Sequence, residues 1–271
     1  MGDWLEIEGR TFVVTGGSSG IGQAIVKSLL ENKANVVLAD LQEPSTELTQ
    51  LAEPNQLLFV KTNVAQRESV ENLFKESIEH FGKIDVLVNN AGINMPRLLV
   101  DAKESGSRYE LSDEVLDRMI SINQKGVVLC SQIAGREMVK SQKGVIINMV
   151  SESGLEGSEG QSAYAATKAA IYSYTRSWAK ELGKFNIRVV GVAPGILEKT
   201  GLRTPAYEDA LAYTRGITVE QLRQGYTNKS IPIRRDGKLA EVADLVLFLG
   251  SDRASYITGT TYNIAGGKSR G

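Results

Sequence analysis

Histidine and cysteine, the side chains that most often carry proton and thiol chemistry near neutral pH, occur once each in this chain of 271 residues. A lone cysteine, Cys130, cannot form an intramolecular disulfide, which excludes a disulfide-stapled scaffold and suits a reducing compartment. It lies in the apolar run GVVLCSQIAG and reads as a small core residue rather than a reactive thiol. The single His80, in SIEHFGK, ends an amphipathic segment remote from every motif described below and reads as solvated. No metal site is expected. No apolar run approaches the ~18 residues of a membrane span. The leading MGDWLEIEGR is acidic and has no apolar stretch, so no secretory signal is expected, and Glu6 stands where a myristoylation pattern needs Ser or Thr. With 31 basic and 32 acidic residues, no net field directs the chain to nucleic acid or to a membrane surface. A cytoplasmic protein with neither partner is the expectation.

What the chain does have is ordinary globular content, 42% hydrophobic and 23% charged, which excludes disorder. Short β-branched runs recur at Thr11–Thr15, Asn35–Asp40, Leu57–Val64, Ile84–Asn89, Gly144–Val150, Ile187–Ala193 and Thr261–Ala265. Near-continuous apolar runs of this length suit strands buried on both faces. Between them the spacing is helical, with Val70, Phe74, Ile78 and Phe81 on one face. The alternation predicts a Rossmann-type doubly wound α/β sheet of about seven parallel strands with helices on both faces, in one domain over 1–271. Two segments break the rhythm, Asn94 to Asp113 and Ile196 to Arg235. Both follow strand C-terminal ends, where open α/β sheets bind ligands.

The first strand runs into TGGSSGIG at 15–22 and then a helix. Glycines there let the backbone turn tightly against a pyrophosphate, and the helix N-terminus supplies free N–H groups and partial positive charge. The spacing is Gly16-x3-Gly20-x-Gly22 rather than G-x-G-x-x-G, so its place between strand and helix carries the argument. Asp40 ends the second strand about 20 residues on, where a carboxylate accepts hydrogen bonds from a ribose and repels a 2′-phosphate. No Arg or Lys lies within the turn or directly after Asp40. The expected cofactor is NAD rather than NADP.

In SAYAATK, Tyr164 and Lys168 sit four apart, one helical turn, and Ser151 closes the fifth strand thirteen residues before the tyrosine. With imidazole nearly absent, a phenol of ordinary pKa near 10 needs a neighbouring cation to serve as acid and base at neutral pH. Together with TGGSSGIG, NNAG at 89–92, Asn123 in MISIN and PG at 194–195, these residues resemble the short-chain dehydrogenase/reductase family over nearly the full chain. The resemblance implies that Tyr164 is the acid/base, that Lys168 supplies the cation and holds the nicotinamide ribose, that Ser151 binds the substrate oxygen, and that Asn123 positions a water. It implies a cofactor held by Gly16, Ser18, Ser19, Gly20, Ile21 and Gly22, by Asp40 and Leu41, and by Asn63 and Val64. Asn90, Ala91 and Gly92, Tyr164 and Lys168, and Pro194, Gly195 and Leu197 complete that set. It also implies a homotetramer built through the helices bearing Asn123 and Tyr164. The chain departs from the family at Val150, at Asn63, at Thr200, and in about ten extra residues before Asn123.

Longer strings, among them NNAGINMPRLLVD at 89–101 and ALAYTRGITVEQLR at 210–223, are similar to members of that family acting on phosphorylated polyols. The window 196–235 carries seven basic residues, Lys199, Arg203, Arg215, Arg223, Lys229, Arg234 and Arg235, against four acids. Basic side chains over a cleft suit a phosphate. Ser151 and Tyr164, with Arg97 and Arg203, are therefore the expected substrate residues, Arg97 first because it follows NNAG. Dehydrogenation of another polyol or sugar, 3-oxoacyl reduction and a non-catalytic nucleotide sensor remain open at this level; the second usually takes NADP, which Asp40 disfavours.

Overall fold

The computed structural model describes residues 4–198, 200–201, 203–227 and 231–269. Seven strands, β1 (Thr11–Thr15), β2 (Asn35–Asp40), β3 (Leu57–Lys61), β4 (Val86–Asn89), β5 (Gly144–Met149), β6 (Ile187–Pro194) and β7 (Thr261–Ile264), form one sheet in the order β3-β2-β1-β4-β5-β6-β7. Every pairing is parallel. The period of two along each strand splits the core in half. Phe12, Val14, Val36, Leu38, Val86, Val88, Ile147, Val190 and Val192 pack on one face, while Val13, Val37, Leu87, Ile146 and Val189 pack on the other.

Helices α1 (Gly20–Glu31) and α10 (Leu239–Gly250) cover the first face through Ile25, Leu29, Val246 and Leu249. The second is covered by α3 (Arg67–Phe81), α5 (Gly126–Ser141) and α7 (Ser162–Leu182), through Val70, Phe74, Leu129, Met138 and Ala179. Short helices α2 (Thr46–Leu51), α4 (Asp113–Ile120) and α6 (Ser153–Glu156) link these layers. Helices α8 (Pro205–Thr214) and α9 (Val219–Thr227) arise from the long segment after β6. Cys130 is buried, and His80 is exposed at the end of α3 with its ring edge-on to Phe81. No described helix is long and apolar enough to cross a membrane.

Strands β5 and β7 each end one residue short of their apolar runs, and two further strands are shorter still. The run at 57–64 leaves the sheet after Lys61, where Thr62 donates its N–H to the Asp40 carbonyl and the chain turns towards the C-terminal edge. The run at 84–89 is regular strand only from Val86; at its start Asp85 takes the Thr11 N–H on its carboxylate, while its own backbone bonds the Thr11 carbonyl and the Val145 N–H. The strand order reverses direction between β1 and β4, and the crevice at their C-terminal ends is the topological switch point of such a sheet.

Candidate active site

At that switch point the glycine turn and NNAG touch. Gly16 has φ +67°, and a Cβ there would lie 2.9 Å from the Ala91 Cα. Asn90 Nδ2 donates to the Thr15 and Gly16 carbonyls at 3.0 Å each, fastening the two loops. A Cβ on Gly22 would fall 2.0 Å from the Gly16 carbonyl oxygen, so the first turn of α1 sits on the glycine loop only because Gly22 lacks a side chain. Ser19, the N-cap of α1, makes no side-chain cap bond, and no acid stands in the first turn. The helix end therefore keeps its donors and partial positive charge for an anion.

A cleft of about 270 Å³ runs from Asp40 to Tyr164. Of the expected cofactor residues, Gly16, Ser19, Gly20, Ile21, Asp40 and Leu41 line it. So do Asn63, Val64, Asn90, Ala91, Gly92, Tyr164, Lys168 and Pro194. Asp40 is more than a solvated strand end, since Oδ2 accepts from Ser18 N at 3.0 Å and Oδ1 from Gln42 N at 3.1 Å. Four of the expected residues are not part of the cleft's lining. Ser18 donates its hydroxyl to the Gln42 carbonyl at 2.6 Å and braces the turn instead of lining the cleft. Gly22 is the packing glycine just described. Gly195 and Leu197 belong to a second, adjoining cleft. Sequence reasoning missed Thr62, Ile93, Ile122 and Met149, which join the wall because strand ends and the following turn curl over it. The elongated shape, the open helix end and the carboxylate at the far end fit a dinucleotide.

Tyr164 and Lys168 project from the first turns of α7. The Lys168 ammonium donates to the Met149 carbonyl at 2.8 Å and stands 5.8 Å from the centre of the Tyr164 ring. Burial pushes Lys168 down to about 8, from 10.5. Burial likewise raises the Tyr164 phenol, opposed by a hydrogen bond with Ser151. Ser151 Oγ also accepts from Ser153 Oγ at 3.0 Å.

Asn123 reaches the site because the helix between α4 and α5 opens into a π turn over Ser121–Lys125. It is fully buried; its amide oxygen accepts from Ile93 N at 2.9 Å, and Nδ2 donates to the Ile93 carbonyl at 2.9 Å and to Thr167 Oγ1 at 3.1 Å. The amide thus fixes the turn after NNAG against α7, and one acceptor position of Oδ1 is left for a water.

The adjoining cleft, about 380 Å³, opens beside Ser151 and Tyr164 and is roofed by α8 and α9. Arg203 and Arg215 line it, with Gln161, Glu152 and Lys268. Arg97 does not: its backbone N–H bonds the Gly160 carbonyl at 2.7 Å, its guanidinium folds back on the Pro96 carbonyl at 2.7 Å, and burial lowers its pKa from the ordinary value. Arg97, the first expected substrate contact, thus stands outside the lining of this cleft, while Arg203 is part of it. Arg203 donates to the Leu197 carbonyl at 2.7 Å. Within the basic window, Arg223 is paired with Glu208 at 2.7 Å and Arg235 with Glu241 at 2.5 Å. Arg234 is exposed, and Lys199 and Lys229 lie outside the described residues. An ion pair between Lys268 and Glu152 on the cleft wall carried no sequence signal, because 116 residues separate the partners.

A family model described as short chain dehydrogenase matches residues 10–211. The sorbitol-6-phosphate 2-dehydrogenase of Klebsiella pneumoniae is 57% identical over 271 residues, covering all of both chains. A 3-oxoacyl-(acyl-carrier-protein) reductase of Thermotoga maritima is 36% identical over 266 residues, 97% of this chain and 99% of its own. One from Staphylococcus aureus is 36% identical over 262 residues, 95% and 97% respectively. With the parallel sheet, the glycine turn at its switch point and the Ser151, Tyr164 and Lys168 cluster already in place, the chain belongs to the short-chain dehydrogenases, oxidoreductases that work with a nicotinamide cofactor.

Proposed function

We propose that the protein interconverts D-sorbitol 6-phosphate and D-fructose 6-phosphate with NAD as its cofactor. The observation that carries this reading is the 57% identity to the Klebsiella enzyme over the full length of both chains. A polar, arginine-bearing cleft beside Tyr164 supports a phosphorylated polyol over an acyl chain. In the oxidative direction Tyr164 accepts the proton of the C2 hydroxyl, and Ser151 holds that oxygen by hydrogen bonding. Lys168, one turn along α7, favours the phenolate by its charge. The nicotinamide ring, when bound, supplies the acceptor for the hydride from C2. Asn123 holds the backbone at Ile93, so that this wall stays in place as the proton moves.

Selection of NAD rests on Asp40. Among the described residues lining the cofactor cleft, Lys168 is the only cation, and it stands at the opposite end. A 2′-phosphate beside Asp40 would meet a carboxylate with no compensating charge. The ratio of kcat/KM for NAD over NADP tests this, and equal efficiency would overturn it; Asp40→Ala should relax the preference. For the substrate, a panel of polyols and polyol phosphates should show sorbitol 6-phosphate favoured over sorbitol by at least about tenfold in kcat/KM, the weight of one hydrogen bond to a charged group. Equal turnover of the two would sink the phosphate reading. We infer as well a cytoplasmic homotetramer through the outer faces of α5 and α7, where Val128, Gly135, Trp178 and Leu182 line an apolar groove.

A further inference from the structure

We propose that Arg215 is the side chain that recognises the substrate's phosphate, and that the insertion at 94–113 exists to hold it in place. The proposal rests on the reading of the substrate as a phosphate ester and says which residue selects it. Three cations line the substrate cleft among the described residues, and the structure separates them. Lys268 is ion-paired with Glu152. Arg203 is engaged with the Leu197 carbonyl. Among the described residues Arg215 has no carboxylate partner, and its one side-chain hydrogen bond is a long one, 3.4 Å, from Nη2 to Ser158 Oγ. Three glutamates, Glu152, Glu156 and Glu198, also line the cleft, but none is ion-paired with Arg215, so its half-buried guanidinium is left to receive an anion, and its planar fork matches phosphate oxygens.

The residues before Arg215 are fastened in a way that a merely solvated arginine would not need. The Tyr213 hydroxyl donates to Asp101 Oδ2 at 2.7 Å, and its ring stacks on Tyr109 with centres 4.0 Å apart. Asp101, only 3% exposed, also accepts from Ser107 Oγ at 2.6 Å, so its carboxylate is an internal post of the insertion. Thr214 is buried against Gly160, whose missing side chain lets α8 settle on the loop before Tyr164. That loop answers from the other side: Ser158 Oγ donates to Gln161 Oε1 at 2.7 Å, and Gln161 Nε2 donates to Tyr207 of α8 at 2.8 Å. Arg215 follows these anchors directly, at the end of α8, and its placement is set before any substrate arrives. Such preorganisation is what turns one charge into discrimination.

The test compares sorbitol 6-phosphate with sorbitol, each with NAD, in the wild type and in Arg215→Gln, Arg215→Lys and Arg203→Gln. It also measures the inhibition constant of inorganic phosphate against sorbitol 6-phosphate. Arg215→Gln is expected to reduce the ratio of the two kcat/KM values at least tenfold, equivalent to ~1.4 kcal/mol, and to weaken phosphate inhibition by a similar factor. Arg215→Lys should recover part of both. A variant that had only lost its fold would lower both substrates alike and leave the ratio unmoved. If Arg215→Gln keeps the ratio and the inhibition constant, or if Arg203→Gln alone collapses them, the assignment to Arg215 is wrong while the substrate reading stands. A wild type that does not discriminate between the two polyols defeats the substrate reading itself.

Discussion

Lys168 is 5% exposed, holds one hydrogen bond, to the Met149 carbonyl, and has no carboxylate partner among the described residues. Burial without a counter-charge is why it titrates at about 8 instead of 10.5. The sign of the consequence follows from linkage. Between those two values the unfolded chain binds more protons than the folded one, so stability rises with pH across about 8 to 10.5. Below 8 the folded protein carries the full cost of the buried ammonium. Lys168→Met is therefore expected to stabilise the fold at pH 7, by up to ~3 kcal/mol and with a higher melting temperature, and the advantage should shrink towards pH 10. Thermal melts of both proteins at pH 7 and pH 10 check this; a variant less stable than wild type at both values would contradict it. The same variant should lose turnover and cofactor affinity together, since the ammonium is assigned to both. Tyr164→Phe keeps the ring and loses the proton carrier, so kcat should fall ~10²–10⁴-fold while the NADH dissociation constant stays close to wild type. At this scale the tyrosine, lysine and serine were legible because a motif names residue types at a spacing. The fate of Arg97 was not: proximity to NNAG in sequence said nothing of where its backbone N–H would bond.

Helix α8 stands where it does because two unrelated segments receive it, the insertion at Asp101 and the loop at Gly160. Gly160 has φ +73°, and a Cβ there would fall 2.1 Å from Thr214 Oγ1. Gly160→Ala thus combines backbone strain with overpacking, for about 1–3 kcal/mol of stability. It should also raise KM for the polyol phosphate while leaving KM for NAD near its original value, because the cofactor cleft does not depend on α8. Urea unfolding and steady-state kinetics on the one variant separate the two effects. Strands and the amphipathic helix α3 were readable from periodicity, since a strand buried on both faces has little else to be made of. The π turn at Ser121–Lys125 was not, because SINQK has no composition that distinguishes a widened turn from an ordinary one. It is the packing of Asn123 onto Ile93 and Thr167 that fills the space such a turn opens.

For the molecule as a whole, the outer faces of α5 and α7 carry the apolar groove assigned to assembly, so Val128→Glu should lower the mass seen by sedimentation velocity and weaken the concentration dependence of the melting temperature that an oligomer shows. An unchanged mass for both proteins at one-chain size would remove the tetramer. The fold class, the seven-strand alternation and the one-turn spacing of Tyr164 and Lys168 were determined by sequence alone, since each depends on patterning or spacing within a short stretch, and short-range geometry is nearly independent of the rest. The assignment of cations was decided only in three dimensions. Seven basic residues in one window looked alike as a charge count. Glu208 and Glu241 neutralise Arg223 and Arg235, and Lys268 enters the cleft from the far end of the chain to meet Glu152. Coulomb pairing acts over a few ångströms between side chains whose separation in sequence is arbitrary. The tertiary structure alone therefore says that Arg215 lines the cleft with no carboxylate paired to it among the described residues.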